Sequence, residues 1–249
     1  MYCEKDVKLL NTKLNFYGNN SIIYLSQNIH NYILNVGIYN NSLLYIGKNN
    51  YINSTLNIIL SEGKNVVIGN DCLFSFGIFI RLADPHIIYD NETKKRINPS
   101  KSVYVGDHVW VGQDVLILKN TKIGSGSIIA AKAVVSGKSI PSNCIYGGNP
   151  LKLINENIFF DKTCVHDFTS QQTKAYSNFK NDEFIYSYDD KEKLNFSDIE
   201  KYINKIKDPN EKLEYIKNTM EKSNKNRFFI KKPQKKSILK HTLKKIIKK

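Results

Sequence analysis

Residues 105–141 read VGDHVW VGQDVL ILKNTK IGSGSI IAAKAV VSGKSI P when set out in sixes. Each row opens on an aliphatic side chain: Val105, Val111, Ile117, Ile123, Ile129 and Val135. A helical stripe drifts at 3.6 residues per turn and a strand alternates at two, so a period of six held row after row fits neither. It fits a coil with flat sides, in which each row supplies a short strand and a corner and one side chain in six points into a narrow core. Gly106, Gly112 and Gly124 follow the aliphatic residue, where a corner is expected to need backbone angles that other residues resist.

The pattern extends towards the N-terminus. Ile68, Phe74 and Ile80 keep the same six-residue spacing, and GNNSIIYL from Gly18, YNNSLLYIG from Tyr39 and EGKNVVIG from Glu62 form a longer repeat. Aligning Leu25, Ile46 and Ile68 gives steps of 21 and 22 residues, one three-sided turn each with extra residues at a corner. The coil is therefore expected to start near residue 18, with residues 1–17 covering its open end. The register breaks once, at ADPHIIYDNETKKRINPSKS (83–102), a polar stretch bracketed by Pro85 and Pro99. An insertion between two in-register runs reads as a loop ejected from one corner, and such loops tend to build the binding face of a solenoid.

After Ile154 the sixes stop. Residues 155–196 are rich in aromatics without a period, and two helices follow. Ser197 with Glu200 reads as a capping box ahead of the stripe Ile199, Tyr202, Ile203 and Ile206. Asp208, Pro209 and Glu211 then give a cap, a first-turn proline and a third-position acid before Leu213, Ile216 and Met220. The expected division is 1–154 for the coil, 155–222 for an irregular segment with two short helices, and 223–249 for a basic tail. As a helix, the end of that tail would align Leu239, Leu243, Ile246 and Ile247 against a lysine-rich face, which suits an anionic membrane surface; the alternative is a solubilising extension.

Charge follows the same division. The chain of 249 residues has a formal net charge of +14, and twelve lysines and arginines after Glu221 account for all but two of it. A basic patch confined to a tail gives no reason to expect nucleic-acid binding by the coil. The start MYCEKDVKLL is charged where a leader would be apolar, and no run approaches ~18 apolar residues, so the expected location is the cytoplasm, with the inner face of the membrane reached through the tail. Cys3, Cys72, Cys144 and Cys164 are widely spaced, which suits free thiols, and no histidine grouping suggests a metal.

At this point the sequence resembles the left-handed β-helix acyltransferases of the hexapeptide-repeat type. The resemblance rests on the six-row run, on Asp84-Pro85-His86, on Gly106-Asp107-His108-Val109-Trp110-Val111-Gly112 and on Gly148-Asn149-Pro150-Leu151-Lys152. It covers about residues 62 to 154, more faintly back to residue 18, and within the family it is most similar to galactoside and polysaccharide (sialic acid) O-acetyltransferases. It implies a mainly β chain folded as a left-handed parallel β-helix, with the loop at 83–102 ejected from it and a C-terminal helical extension. It also implies acetyl-CoA as acetyl donor and a homotrimer with its sites between subunits. His86 would be the catalytic base. Trp110 would be the second catalytic residue, lining the acetyl end of the cofactor groove where a nearby backbone N–H could serve the oxyanion, with Gly112, Ala131, Ser136 and Lys152 as further cofactor contacts.

The residues themselves support that assignment of His86, because an imidazole titrates near neutral pH and can take a hydroxyl proton and return it to a thiolate. Gly112 and Ala131 would leave room for a pantetheine arm, and Lys152 would face phosphates. His108, at a corner of its row, reads as an exposed turn residue. Arg81, Lys94 and Arg96 in and beside the loop are candidates to hold an acidic sugar such as sialic acid, the expected acceptor being a hydroxyl of a bacterial surface glycan. Two other readings remain open at this stage: a binding scaffold without catalysis, and acyl transfer to a small acceptor that is not a glycan.

Overall fold

The computed structural model describes residues 1–191, 193–221 and 224–233. Its core is a three-sided parallel coil. Among the described residues, face I has seven strands from Tyr2–Cys3 up to Ser139–Ile140, and faces II and III have six each. The chain passes from I to II to III and back, and the aliphatic residue of each row stacks on its counterpart one turn away. Face I carries the column Cys3, Leu25, Ile46, Ile68, Val105, Ile123, Ile140. Face II carries Ile52, Phe74, Val111, Ile129, Tyr146, and face III Leu14, Val36, Ile58, Ile80, Ile117, Val135. Most of these side chains are fully buried in one continuous core, each worth about 1.5–3 kcal/mol of transfer free energy.

The corners differ from expectation. The left-handed backbone falls three residues after the aliphatic one, at His108, Asp114, Asn120, Gly126 and Lys132. The glycine directly after it has another task, since a Cβ on Gly112 would lie 2.7 Å from the backbone nitrogen of Ala131 in the next turn. Close stacking of turns, rather than φ, excludes a side chain there. The coil also begins earlier than residue 18: Tyr2–Cys3 and Lys13–Phe16 are strands of faces I and III, and Leu9 bridges to Tyr32.

Strand Lys152–Glu156 turns back antiparallel on Cys144–Gly147 and closes face II. A short helix, α1 (Ser170–Ala175), carries a capping box from Thr169 and Gln172 that sequence reading passed over. Helices α2 (Phe196–Lys205) and α3 (Pro209–Tyr215), with a π-turn Ile216–Met220, lie on face I. Face I can take them because its outward residues Tyr24, Tyr45, Val67 and Tyr104 are apolar or aromatic, and they bury against Phe196, Ile199, Ile203, Ile216, Met220 and Phe228. The cap of α2 is Asn195 rather than Ser197, and Glu200 instead accepts a bond from Ser102 Oγ at 2.7 Å. Asp208 and Pro209 start α3 as expected.

The boundary at 223 is corrected as well. Arg227 and Phe228 are 1% exposed and belong to the packed structure. The amphipathic helix expected over 239–247 lies outside the described residues. No helix among the described residues is long and apolar enough to cross a membrane.

Candidate active site

The ejected loop leaves face III after Arg81 and rejoins face I at Val103. It is a hairpin, with an antiparallel bridge between Tyr89 and Arg96 and a bond from Ile97 N to Ile88 O of 2.9 Å. Three anchors hold its root. Arg96 makes a two-pronged ion pair with Glu62 of the turn below, at 2.5 and 3.0 Å, and Ser100 donates to the same carboxylate from its backbone and hydroxyl. The Arg96 guanidinium, with the Ser100 bonds, pulls the Glu62 carboxyl down to about 2. Lys119 of the turn above reaches Asp84 at 2.5 Å and, with Asn98, holds that carboxyl below its ordinary value. Buried Asn98 donates to the carbonyl of His86 at 2.7 Å and to Asp84 at 3.2 Å, and accepts from Ile88 N at 2.9 Å.

His86 is thus held by its backbone at the mouth of the loop, with an exposed side chain. Asp84 is engaged by Lys119 and Asn98, so its place is in tying the loop down. Of the candidate acceptor cations, Arg96 is committed to Glu62 and Lys94 folds back on the carbonyl of Asn91 at 2.5 Å, while Arg81 is exposed on face III beside the loop. Nothing in the local sequence announces Glu62 or Lys119 as anchors, because their partners are 34 and 35 residues away. Asn98 before Pro99 carries a weak turn signal.

Trp110 lies on face II between Leu73 and Ile128 of neighbouring turns, 38% exposed, with the Phe160 ring 5.8 Å from its own. In a three-sided prism, face II is opposite the edge where faces III and I meet. One chain therefore presents His86 and Trp110 on opposite sides.

The remaining sites divide between corners. Gly112 is buried under Ala131 with its N–H bonded to Ile129 O at 2.8 Å, and Ala131 alone of that pair is exposed. Lys152 is exposed on the returning strand. Ser136 is exposed at the III/I edge, the edge that also ejects the His86 loop. Cys72 is buried, which pushes its thiol up to about 12 and keeps it from acting as a nucleophile.

His108 is not an exposed turn residue. It is fully buried, stacked between Phe160 (centroids 4.1 Å apart) and Phe184 (4.6 Å). One ring nitrogen meets Asp71 Oδ2 and the other the carbonyl of Phe160, both at 2.9 Å. Burial raises the Asp71 carboxyl, but bonds from His108 and Lys162 outweigh it and leave the group below its ordinary value. This histidine pins the aromatic segment after 156 to the coil.

The description bacterial transferase hexapeptide (six repeats) matches residues 102–137. A polysialic acid O-acetyltransferase of Neisseria meningitidis is 30% identical over 166 residues, which cover 67% of this chain and 77% of that protein. The chain belongs to the hexapeptide-repeat acyltransferases. A polysialic acid O-acetyltransferase of Escherichia coli O1:K1 / APEC is 33% identical over 136 residues, 55% of this chain, and the match spans 44% of that relative's own length. The crystal structure of the polySia-specific acetyltransferase NeuO superposes with a TM-score of 0.56 at 29% identity, over 70% of this chain and 91% of that one. The fold is the left-handed β-helix of this family, and the matched residues 102–137 take in the hexads that start at Val105.

Proposed function

We propose that this acyltransferase uses acetyl-CoA to O-acetylate a hydroxyl of a bacterial surface glycan, with sialic acid as the acceptor sugar. The observation that carries the reading is the placing of His86 by the Glu62, Asn98 and Lys119 anchors at the root of the ejected hairpin, in a chain similar to polysialic acid O-acetyltransferases. Because His86 and Trp110 occupy opposite sides of one chain, the complete site takes His86 from one copy and Trp110 with Ala131 from the next. A homotrimer closes that arrangement.

In the reaction the acceptor oxygen bonds to the acetyl carbonyl carbon while His86 takes the hydroxyl proton. The carbon–sulfur bond then breaks, its electron pair leaves on the coenzyme A sulfur, and His86 returns the proton to that sulfur. The products are an acetyl ester and coenzyme A. Transfer is direct, since the buried Cys72 thiol is no acyl carrier. Ser136 and Lys152 are assigned to the donor's pantetheine and phosphate ends, and Arg81 to the acceptor carboxylate. The site of action is the inner face of the cytoplasmic membrane. The test is release of free thiol from acetyl-CoA in the presence of sialic acid oligomers, with neutral glycans alongside. Absence of acceptor-dependent thiol release from all of them overturns the reading, and strict preference for neutral sugars removes sialic acid from it.

A further inference from the structure

Tyr17, Tyr39 and Ser61 hold the same corner position in three successive turns, because Phe16 pairs with Ile38 and Ile38 with Leu60. The Tyr17 and Tyr39 rings are stacked, their centroids 5.0 Å apart and their planes 27° from parallel. Tyr17 covers one side of the Tyr39 ring. A serine stands where a third ring would cover the other side, and there a cleft of about 400 Å³ opens, lined by Tyr39, Asn40, Asn41, Ser61, Glu62 and Gly63. Its size falls among small-ligand sites, and it joins an aromatic ring that is 42% exposed to amide, hydroxyl and carboxylate groups. A pyranose suits such walls, since its C–H face meets the negative face of the ring and its hydroxyls meet the polar rim.

The cleft is tied to the catalytic loop. Glu62 in its wall grips Arg96 and Ser100, and between those residues Asn98 holds the carbonyl of His86. The Arg96 charge also balances Glu62, so an acidic sugar entering the cleft meets no uncompensated carboxylate there. We infer that this cleft is a saccharide subsite, in which a pyranose of the acceptor chain stacks on Tyr39 as the third member of the column, one turn before the His86 loop. The inference rests on the glycan-acetylation reading and adds a reason for a long acceptor to be preferred to a short one.

The experiment uses the full chain and three variants, Tyr39→Ala, Tyr39→Phe and Ser61→Tyr, with a sialic acid dimer and a longer oligomer as probes. Binding is measured by calorimetry and transfer by thiol release. Tyr39→Ala is expected to weaken oligomer binding roughly three- to tenfold, as loss of a ring contact does, and Tyr39→Phe to preserve it. Ser61→Tyr places a third ring in the cleft and is expected to weaken the oligomer as much without lowering the melting temperature. Turnover of the dimer and kcat at saturating oligomer stay unchanged. Unaltered oligomer affinity in both Tyr39→Ala and Ser61→Tyr overturns the inference, as does equal loss in Tyr39→Phe or a wild-type chain that binds no oligomer. Oligomer binding that depends on Tyr39, without thiol release, supports the subsite while removing the transferase reading.

Discussion

Arg227 and Asp107 form a buried ion pair, Nη2 to Oδ1 at 2.7 Å and Nε to Oδ2 at 2.9 Å, with side chains only 1% and 7% exposed. Asp107 follows Val105 at the I/II corner and also accepts from Asn70 N at 2.7 Å, so it joins two turns of the coil to the end of the helical appendage. Removing one partner leaves a buried charge uncompensated, which costs about 3–5 kcal/mol. Arg227→Ala and Asp107→Ala are each expected to lower stability by that order in denaturant titrations. The double variant should lose clearly less than the sum of the two. Additive losses would mean that the pair is not coupled as the geometry indicates.

The Glu62–Arg96 clamp carries a pH dependence whose sign is fixed by its cause. The folded carboxyl sits at about 2, below the ~4.3 of a free glutamate, so its contribution is present above ~4.3 and is lost as pH falls towards 2. The side chain is 43% exposed, so the consequence is local release of the hairpin rather than unfolding. Protection of the Ile88 and Ile97 amides against hydrogen exchange, taken relative to an unprotected amide at the same pH, is expected to fall between about pH 4 and pH 2 in the wild type. Arg96→Ala should show that low protection already at pH 7, with the melting temperature of the coil nearly unmoved. Equal protection in the two proteins at pH 7 would refute the anchoring role.

Much of this architecture was legible because its core is one-dimensional. A column such as Val105, Ile123 and Ile140 repeats every turn, and the interruption at 83–102 pointed to His86. The outward tyrosines of face I were not legible in the same way. Tyr24, Tyr45 and Tyr104 are spaced like solvent-facing residues, and their burial depends on helices more than ninety residues further along the chain. His108 shows the same limit: its corner position implied exposure, and only the return of Phe160 and Phe184 encloses it. Arg227 reads as one more cation of a basic tail until its partner, 120 residues earlier, is seen.

For the chemistry, His86→Ala is expected to lower kcat by ~10²–10⁴. Coenzyme A affinity should be almost unchanged, because none of the contacts assigned to the donor is made by the His86 side chain. Asn98→Ala, which frees the His86 carbonyl without touching the imidazole, should lower kcat less and leave the acid limb of the pH–rate profile in place. An acetylated enzyme accumulating in mass spectra would exclude direct transfer. Full activity in His86→Ala would remove His86 as the base.

The basic C-terminus gives the last prediction, and the structure changes how it must be tested. Ending the chain before residue 223 would remove Arg227, Phe228 and Ile230, whose backbone N–H bonds Ser142 Oγ at 3.1 Å, and would unseat the appendage from face I. The informative truncation ends at Pro233. Residues 234–249 contain seven lysines and no acid, and each lysine near an anionic bilayer contributes about 1 kcal/mol of attraction. Several such tails on one assembly would act together through their effective concentration. Full-length protein is therefore expected to co-sediment with vesicles containing phosphatidylserine at low salt and to be released at high salt, whereas the chain ending at Pro233 stays in the supernatant and retains its activity on a soluble oligomer. Failure of the full-length chain to bind these vesicles at low salt would leave the tail no membrane role.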